Sequence, residues 1–406
     1  MMDNKIAILI NWPREIDMYY QLIKSIPSHR TEIIVNNIKS IERGRNKLSK
    51  VIEKILERKK IKYKLFSNIY KKKKYKILLS TGEACSLKIN FYSILKFIYA
   101  HTLGIFLEIS KISKILIYFF GKPYTGGGSN CKIGLIWYPE KNIGKTIVKY
   151  PDGMDLKLKF YPYPEYKKIF DIYFTHGSFE SKMIKKKFIG KECFVIGYPR
   201  YINLKKKNHI YRSLLNQFNL DQKKKIIFWT PTNVDTKNEE YNNINLWIKK
   251  ITPLQDKYNI IIRPHPKTLM AQPDIEKELK KLNYFIDKDP NRKIGELFKV
   301  ADLVISDYGG TIFSSIYLKK SLILLNLKKN SRFVGELKEN RSLDLIVRKK
   351  ILNLNPNDKI EKILKYVNIS KKLQYKKLIV ELKKKYFGLE SQDNLKSAKK
   401  CLLNYL

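Results

Sequence analysis

The sequence predicts an α/β protein built from two doubly wound parallel sheets that face a central cleft. Two observations lead to this prediction: short apolar runs recur along the whole chain, and helical, lysine-rich stretches separate them. Continuous apolar runs that alternate with helices are typical of parallel sheets covered on both faces. Because no internal repeat of about 20–50 residues is evident, a solenoid or propeller is not indicated.

The predicted strands fall into two groups, one in each half of the chain. In the first half they are Lys5–Ile10, Glu32–Val35, Lys76–Ser80, Ile133–Trp137, Phe170–Phe174 and Cys193–Ile196. In the second half they are Lys225–Trp229, Asn259–Ile262, Leu303–Ile305 and Leu322–Leu325. Ligands of doubly wound sheets bind beyond the carboxyl ends of such strands, so the residues that follow each run are candidates for a site.

The length of the chain favours two domains. It has 406 residues, 44% of them hydrophobic, which suits two packed cores at roughly 100–200 residues per domain. The polar, basic stretch Arg200–Asn208 follows a Gly-Tyr-Pro turn and is the best candidate for a linker. We therefore expect a first domain over residues 1–199 and a second over residues 200–406, with the C-terminal helix a candidate to return to the first domain.

The chain is strongly basic, with 82 Lys and Arg against 37 Asp and Glu and a formal net charge of +45. Such a surplus attracts nucleic acid, an anionic membrane or a polyanionic substrate. Plain surface lysine, in a composition rich in Lys, Ile, Asn and Tyr, is an equally good explanation. Because nothing resembles a helix-turn-helix, zinc-finger, RNP or KH signature, nucleic acid is not expected as a partner and nucleic-acid binding is kept only as a second alternative.

Cysteine and histidine spacing predicts neither a metal nor another cofactor. The four cysteines form no CxxC pair, and no two of the five histidines are helical neighbours. The N-terminal apolar run opens with Asp3 and is interpreted as a first strand, not a signal peptide. Charged residues interrupt the most apolar region, Phe91–Gly121, so a spanning helix is not expected. We favour a buried helix pair there over an amphipathic surface that rests on a bilayer.

The strongest site signal follows the predicted strand Asn259–Ile262. That run leads directly into Arg263-Pro264-His265-Pro266, and two prolines around a histidine prevent a strand or helix from continuing. Arg263 and His265 are therefore expected on a rigid turn at a strand's carboxyl end. A guanidinium there can bind a phosphate through paired N–H donors, and the alternative is a turn with a surface salt bridge.

A second site signal lies between the predicted strand Leu303–Ile305 and the helix that follows. The connection reads Ser306-Asp307-Tyr308-Gly309-Gly310-Thr311. Glycines let a backbone approach a ligand closely, and the N–H groups of a helix start favour an anion. Thr311 is expected either to cap this helix or to contact a phosphate.

In this order the segments resemble the C-terminal half of the CDP-glycerol glycerophosphotransferase family, which builds teichoic-acid and related glycerol phosphate chains on a GT-B fold. The resemblance covers roughly residues 150–325 and rests on Pro231-Thr232, Arg263-Pro264-His265-Pro266, Ala301–Tyr308 and the upstream Gly197-Tyr198-Pro199-Arg200. It implies two Rossmann-like domains, with the donor against the second and the acceptor against the first.

The resemblance also assigns donor-site residues. It implies that Thr232 and His265 contact the donor's phosphates and that Gly309-Gly310 occupies the place of the family's serine pair. Here that pair lacks hydroxyls, and Ser314 stands where the family usually has Asp. The other residues placed in the donor site are Arg263, Ser306, Asp307 and Thr311, of which Arg263 and Thr311 join His265 in balancing the charge of the reaction.

The acceptor side should supply a general base. In the family this is presumed to be a histidine of a WHGT-P-K segment, and the matching stretch here is Pro151–Lys157. Asp152 takes the histidine's place, and a carboxylate can accept a proton from an attacking hydroxyl. A plain Asp-Gly turn is an equally good interpretation. His176, which follows the predicted strand Phe170–Phe174, is the second candidate base.

The resemblance implies a metal-independent transferase that moves glycerol phosphate, or a similar alditol phosphate, from a CDP-linked donor to a hydroxyl of a cell-surface polysaccharide or lipid-linked acceptor, releasing CMP. The motif Asp287-Lys288-Asp289 resembles the metal-binding D-x-D of other transferases and is interpreted as incidental. The first alternative is a GT-B glycosyltransferase that uses a nucleotide sugar for capsule or lipopolysaccharide synthesis. The lysine surplus predicts a peripheral protein on the inner face of the cytoplasmic membrane, in contact with anionic lipid.

Overall fold

The computed structural model describes residues 2–37, 45–69, 74–82, 86–87, 136–137, 139–202, 204, 206–232, 243–265, 268–269, 272–289, 292–328, 331–388 and 394–406. These residues form one parallel sheet of seven strands, a second of six strands and a separate antiparallel pair. The predicted α/β class with two parallel sheets is confirmed. The apolar region Phe91–Gly121 lies outside the described residues.

The first sheet is built from strands of the first half of the chain. They are β1 (Met2–Ile10), β2 (Thr31–Val35), β3 (Tyr63–Leu65), β4 (Lys74–Ser80), β7 (Gly144–Lys149), β8 (Ile172–Thr175) and β9 (Glu192–Val195), while β5 (Ser86–Leu87) and β6 (Ile136–Trp137) form the separate pair. Their order across the sheet is β3-β2-β1-β4-β7-β8-β9. Residues 6–10 of the central strand β1 are completely buried, which explains its continuous apolar sequence.

The second sheet has the strand order of a Rossmann fold. Its strands are β10 (Lys225–Thr230), β11 (Tyr258–Ile262), β12 (Phe285–Ile286), β13 (Leu303–Ser306), β14 (Leu322–Leu325) and β15 (Asn353–Leu354). They lie in the order β12-β11-β10-β13-β14-β15 and all pair in parallel. The chain order reverses between β10 and β13, so the ends of these two strands border the crevice where such sheets bind ligands.

Helices connect the strands of both sheets. In the first half they are α1 (Pro13–Ser25), α2 (Arg45–Arg58), α3 (Phe66–Ile69), α4 (Pro139–Ile143), α5 (Pro164–Ile169) and α6 (Ser178–Lys187). In the second half they are α7 (Lys207–Phe218), α8 (Asn243–Ile251), α9 (Asp274–Lys281), α10 (Ile294–Val300), α11 (Gly310–Tyr317), α12 (Arg332–Glu339), α13 (Leu343–Arg348), α14 (Ile360–Lys371), α15 (Leu373–Phe387) and α16 (Asn394–Asn404). Among the described residues, no helix is long and apolar enough to cross a membrane.

Two predicted strands differ from the structure, and one long strand was not predicted. The run Phe170–Phe174 begins as a strand only at Ile172, because Phe170 ends helix α5 as its C-cap. Of Ile133–Trp137, only the last two residues are described, and they pair antiparallel with β5. Strand β7 was not predicted, since its sequence, Gly-Lys-Thr-Ile-Val-Lys, is polar at both ends.

The two halves of the chain are joined by an apolar core and by backbone hydrogen bonds. One cluster of buried side chains combines Phe170 and Tyr173 with Phe228 and Val304 of the second sheet. Residues 156–159 also run antiparallel to residues 340–343, a pairing that we call the inter-sheet bridge. Leu343 N donates to Leu156 O at 2.9 Å, and Leu158 N donates to Arg341 O at 3.2 Å.

Helix α16 packs on the first sheet although it follows the second in sequence. Ala398, Cys401 and Leu402 lie in the core that also holds side chains of β1, β2 and β4. Between the two sheets, the chain forms a 3-10 helix at Pro199–Tyr201, and α7 begins at Lys207, inside the stretch predicted as a linker. The exact domain boundary at residues 199 and 200 stays a prediction.

Candidate functional site

The candidate donor site lies where β10 and β13 end side by side. Thr232, two residues beyond β10, donates its backbone N–H to both oxygens of the Asp307 carboxylate, each at 2.8 Å. Its hydroxyl donates to Tyr308 O at 3.0 Å. The loop after β10 and the turn after β13 are therefore one hydrogen-bonded unit, and we call these residues, 231–232 and 306–311, the switch-point loops.

Asp307 holds the switch-point loops together from within. Its side chain is fully buried and also accepts hydrogen bonds from Tyr308 N at 2.7 Å and from Asn243 Nδ2 at 2.6 Å. Burial raises the pKa of this carboxyl to about 6. Arg348 donates to Asp307 O and stacks over the Tyr308 ring at 4.0 Å. These contacts give Asp307 a positioning role, while the expected contact between Asp307 and the donor stays a prediction.

Helix α11 begins at Gly310, and Gly309 is its N-cap with φ 88° and ψ −161°. A non-glycine residue is strained in this backbone region. Thr311 lies inside the first turn and does not cap the helix, since its hydroxyl pairs with Ser306 Oγ at 2.7 Å. The N–H groups of Gly310 and Thr311 have no acceptor within the helix, so this helix start suits an anion.

A buried carboxylate flanks the same helix start. Gly309 N donates to Asp344 Oδ2 at 2.8 Å, so the Gly309 amide already has a protein acceptor. Asp344 is 1% exposed, burial raises the pKa of its carboxyl, and Arg348 Nε lies 3.4 Å from its Oδ1. A phosphate at this helix start would therefore meet the amides of Gly310 and Thr311 rather than that of Gly309.

The guanidinium of Arg263 is engaged by the loop that follows β12. Its Nη1 lies 3.1 Å from the buried Asp287 carboxylate and donates to Arg292 O at 3.0 Å, while Nη2 donates to Asp289 O at 3.2 Å. The salt bridge predicted as the alternative for this turn is therefore observed. Its partner is a buried carboxylate, and whether Arg263 also binds a phosphate stays a prediction.

Asp287, the first residue of the D-x-D motif, lies between two guanidinium groups. Arg292 Nε lies 3.0 Å from its Oδ1, opposite Arg263. Two cations at one carboxylate oppose binding of a metal there. Across the described ranges, no three His, Cys, Asp or Glu side chains form a cluster that could hold a metal ion.

His265 is exposed at the carboxyl end of β11, as the flanking prolines predict. Its carbonyl accepts a hydrogen bond from Thr268 N at 2.9 Å, which turns the chain away from the strand. Its predicted contact with the donor's phosphates stays a prediction.

The two candidate bases on the acceptor side line one small pocket. Asp152 and His176 share it with Tyr198 and Arg200. Arg14 Nη2 lies 2.9 Å from Asp152 Oδ2, and these side chains are 56% and 29% exposed. The sequence therefore located two residues of one pocket that lie 24 positions apart.

His176 is buried and held by Glu180, which the sequence prediction did not include. His176 Nδ1 lies 3.1 Å from Glu180 Oε2, and the His176 backbone N–H donates to the same oxygen at 2.8 Å. Burial alone raises the pKa of Glu180, but the hydrogen bond and charge of His176 outweigh it and lower that pKa. A histidine with a carboxylate on one ring nitrogen is held in a fixed orientation.

Glu15 is a second buried carboxyl that the sequence prediction missed. Its Oε2 accepts from Asn11 N at 2.6 Å and its Oε1 from Thr81 Oγ1 at 2.5 Å, which joins the ends of β1 and β4. Burial raises its pKa to about 7. The sequence did contain a signal for this residue. Glu15 lies three residues after Trp12, the N-cap of α1, and this spacing is typical of a capping carboxylate.

Asp155 reaches from the acceptor side to the start of α11. Its Oδ1 lies 3.9 Å from the position that a Cβ on Gly310 would occupy. The sequence prediction gave this residue no role, because the family motif pointed to Asp152. The available signal was the polar residue between Met154 and Leu156, both of which are buried.

Two Rossmann-like sheets that share an apolar core, with a phosphate-suited helix start at the switch point of the second, are typical of the GT-B class of fold. Residues 157–328 match the family described as CDP-glycerol:poly(glycerophosphate) glycerophosphotransferase. This match confirms, over residues 157–328, the resemblance predicted from the motifs, and it supports a transferase similar to the CDP-glycerol glycerophosphotransferases.

Solved structures support the same architecture. The chain is similar to the wall teichoic acid polymerase TagF, with a TM-score of 0.57 and 13% identity over 99% of this chain and 88% of that chain. It is also similar to UDP-GlcNAc 2-epimerase from Neisseria meningitidis bound to UDP-GlcNAc, with a TM-score of 0.58 and 12% identity over 98% of this chain and 100% of that chain. At these identities the similarity shows the fold, and the predicted GT-B fold is confirmed. No curated protein matches the sequence.

Proposed function

We propose that the chain transfers an alditol phosphate, such as glycerol phosphate, from a CDP-linked donor to a hydroxyl of a cell-surface polysaccharide or lipid-linked acceptor and releases CMP. The observation that supports this most is the amide-bearing start of α11 within the switch-point loops. Backbone N–H groups and a helix N-terminus stabilise a diphosphate without a metal. One of the similar structures, a TagF variant soaked with CDPG, supports this class of donor.

The proposed reaction is an in-line displacement at the phosphorus of the alditol phosphate. The acceptor oxygen bonds to that phosphorus, the phosphorus–oxygen bond to CMP breaks, and the hydroxyl proton passes to a base on the acceptor side. Catalysis rests on positioning and charge stabilisation. Thr232 of the switch-point loops and His265 of the turn after β11 contact the donor's phosphates.

In this proposal each half of the chain binds one of the two substrates. Residues 1–199 provide the acceptor side and residues 200–406 the donor side, while α16 packs against the acceptor side. The surplus of lysine supports attachment to anionic lipid on the inner face of the cytoplasmic membrane, where a lipid-linked acceptor would be met.

A donor screen tests the proposed function. The purified chain is incubated with CDP-glycerol, CDP-ribitol, UDP-N-acetylglucosamine or a CMP-sugar, and with a glycerol phosphate oligomer as acceptor. We expect acceptor-dependent CMP release from a CDP-alditol only, unchanged by EDTA. UDP release from the UDP-sugar, or transfer from the CMP-sugar, would establish the glycosyltransferase alternative. Loss with EDTA and recovery with Mg²⁺ would contradict the metal-independent mechanism.

A matched pair of variants ties the activity to the switch-point loops. Thr232→Ala removes a hydroxyl that donates to Tyr308 O in the structure and is expected to donate to the donor's phosphates instead when the donor is bound. A lost hydrogen bond to a charged group costs about 1.5–3 kcal/mol, or roughly 10–100-fold in kcat/KM. Thr31→Ala removes a comparable exposed hydroxyl at the start of β2 and should leave turnover unchanged. Equal turnover in both variants would remove Thr232 from the donor site.

A further inference from the structure

Asp155 projects from a turn whose two neighbours are fixed in the core. Leu156 N donates to Met154 O at 2.8 Å, which closes a three-residue turn with Asp155 at its centre. Met154 is 0% exposed and Leu156 is 6% exposed. The turn continues directly into the inter-sheet bridge, where Leu156 O accepts from Leu343 N at 2.9 Å. The Asp155 side chain therefore leaves the backbone at a well-fixed position.

The Asp155 carboxylate is influenced both by the helix start on the donor side and by the charged residues on the acceptor side. Toward the donor side, its Oδ1 is 3.9 Å from the Cβ position of Gly310, the first residue of α11. On that side it also repels the Asp344 carboxylate. On the acceptor side the charges that act on it are those of Asp152, Arg14 and His176. The carboxylate thus lies beside the place where the donor's diphosphate is expected, and the charges of the acceptor pocket act on it.

The two bases predicted from sequence are less well placed for proton transfer. The Asp152 carboxylate is ion-paired with Arg14 at 2.9 Å, so a cationic partner already occupies one of its oxygens. The His176 side chain is 1% exposed and bound to Glu180. Asp155 is solvent-exposed, so an acceptor hydroxyl can reach it.

We propose that Asp155 is the general base that accepts the proton of the acceptor hydroxyl, a role that rests on the proposed transfer to that hydroxyl. As the acceptor oxygen bonds to the alditol phosphate, its proton moves to the Asp155 carboxylate. The phosphorus–oxygen bond to CMP breaks in the same step, and CMP leaves with the electron pair. Asp152 and Arg14 then orient the acceptor, and Glu180 fixes His176 beside them.

The surroundings of Asp155 suit this role. The protein around the carboxyl desolvates it, although part of its surface still faces solvent, and together with the nearby Asp152 charge this raises its pKa. A bound diphosphate adds negative charge at Gly310 and raises that pKa further, while Arg14 and His176 oppose the rise. A carboxylate with a raised pKa is a stronger base for a hydroxyl proton.

Four variants test the assignment by their kinetics with the best donor of the screen. Asp155→Asn should lower kcat about 10²–10⁴-fold, the usual contribution of a general base. Its Kd for CDP, measured by calorimetry, should not rise, because the variant loses a charge that repels the diphosphate and no contact that binds it. Asp155→Glu should recover part of kcat, since the carboxylate returns at a longer reach. Asp256→Asn, at an exposed carboxylate after α8, is the control and should behave as the wild type.

The fourth variant, Gly153→Ala, leaves Asp155 in place but moves it. An added Cβ would lie 2.7 Å from Asp155 Oδ1, so the carboxylate must shift. We expect a lower kcat with unchanged CDP binding, and this keeps the test valid should Asp155→Asn fold poorly. In the wild type, kcat should rise with pH through one ionisation, and Asp155→Asn should lose that rise.

Three outcomes would overturn the assignment. They are a wild-type kcat for Asp155→Asn, a loss of CDP binding in that variant, and a retained rise of kcat with pH. Failure of the proposed function looks different, because the wild type would then transfer from a nucleotide sugar and not from a CDP-alditol. The same variants assayed with that sugar donor would still decide whether Asp155 takes the proton.

Discussion

Glu15 shows how one buried residue can make stability depend on pH. Its carboxyl has a pKa of about 7 instead of 4.5, because burial disfavours its charged form. The folded protein therefore keeps this proton at pH values where the unfolded chain has released it. The free energy of unfolding should fall as pH rises from about 4.5 to 7, by about 3 kcal/mol for this group alone.

Glu15→Gln should remove this part of the pH dependence. Because Gln does not ionise, the difference in unfolding free energy between variant and wild type should shift by about 3 kcal/mol in favour of the variant from pH 4.5 to pH 8. Urea denaturation at the two pH values measures it. Glu381→Gln, at an exposed position of α15, is the control and should change nothing. An identical slope in Glu15→Gln and wild type would contradict the prediction.

Residue-level prediction from sequence succeeded where the signal was local to the chain. Prolines around His265 and glycines after β13 marked the two turns, since their backbone limits do not depend on distant partners. Contacts between remote segments were not visible. Asp307 binds Thr232, 75 positions away, and Arg263 pairs with Asp287, 24 positions away. Because Asp152 occupies the position of the family's motif histidine, the sequence prediction gave Asp155 no role. Only the short distance between Asp155 and Gly310 in the structure points to Asp155.

At the scale of elements, the start of α11 depends on one glycine. Gly309 has φ 88° and ψ −161°, where any side chain costs about 1–3 kcal/mol. Gly309→Ala should lower the unfolding free energy by this amount and weaken CDP binding, because the strained turn moves the neighbouring amides. Gly335→Ala is the matched control, since nothing lies within 4 Å of its Cβ position inside α12. That control should be stabilising by about 0.5–1 kcal/mol.

Denaturation and calorimetry with CDP measure both effects of Gly309→Ala. A Gly309→Ala protein as stable as Gly335→Ala would show that the turn relaxes without cost.

Among the secondary-structure elements, strands buried on both faces, such as β1, β10 and β11, were predictable because burial demands an apolar run. Strands β12 and β15 have two residues each, too few for a periodic pattern.

For the whole molecule, the net charge of +45 predicts electrostatic attachment to a membrane. Each Lys or Arg near an anionic surface contributes about 1 kcal/mol, and the attraction falls off within a Debye length. The protein should sediment with vesicles of mixed neutral and anionic lipid at low salt and should be released by high salt. Neutral vesicles are the control and should bind poorly. A protein that stays in solution with anionic vesicles at low salt would show that the lysines are compositional only.

Helix α16 covers part of the first sheet but is synthesised after the second sheet. Its side chains Ala398, Cys401 and Leu402 belong to the core around β1, β2 and β4. Those strands leave the ribosome well before α16, which follows only after the whole second sheet has been made. Throughout that interval the nascent first sheet lacks one of its covering helices and exposes apolar side chains to water. Such exposed surface favours aggregation, so translation of this chain includes a period in which chaperones can bind it.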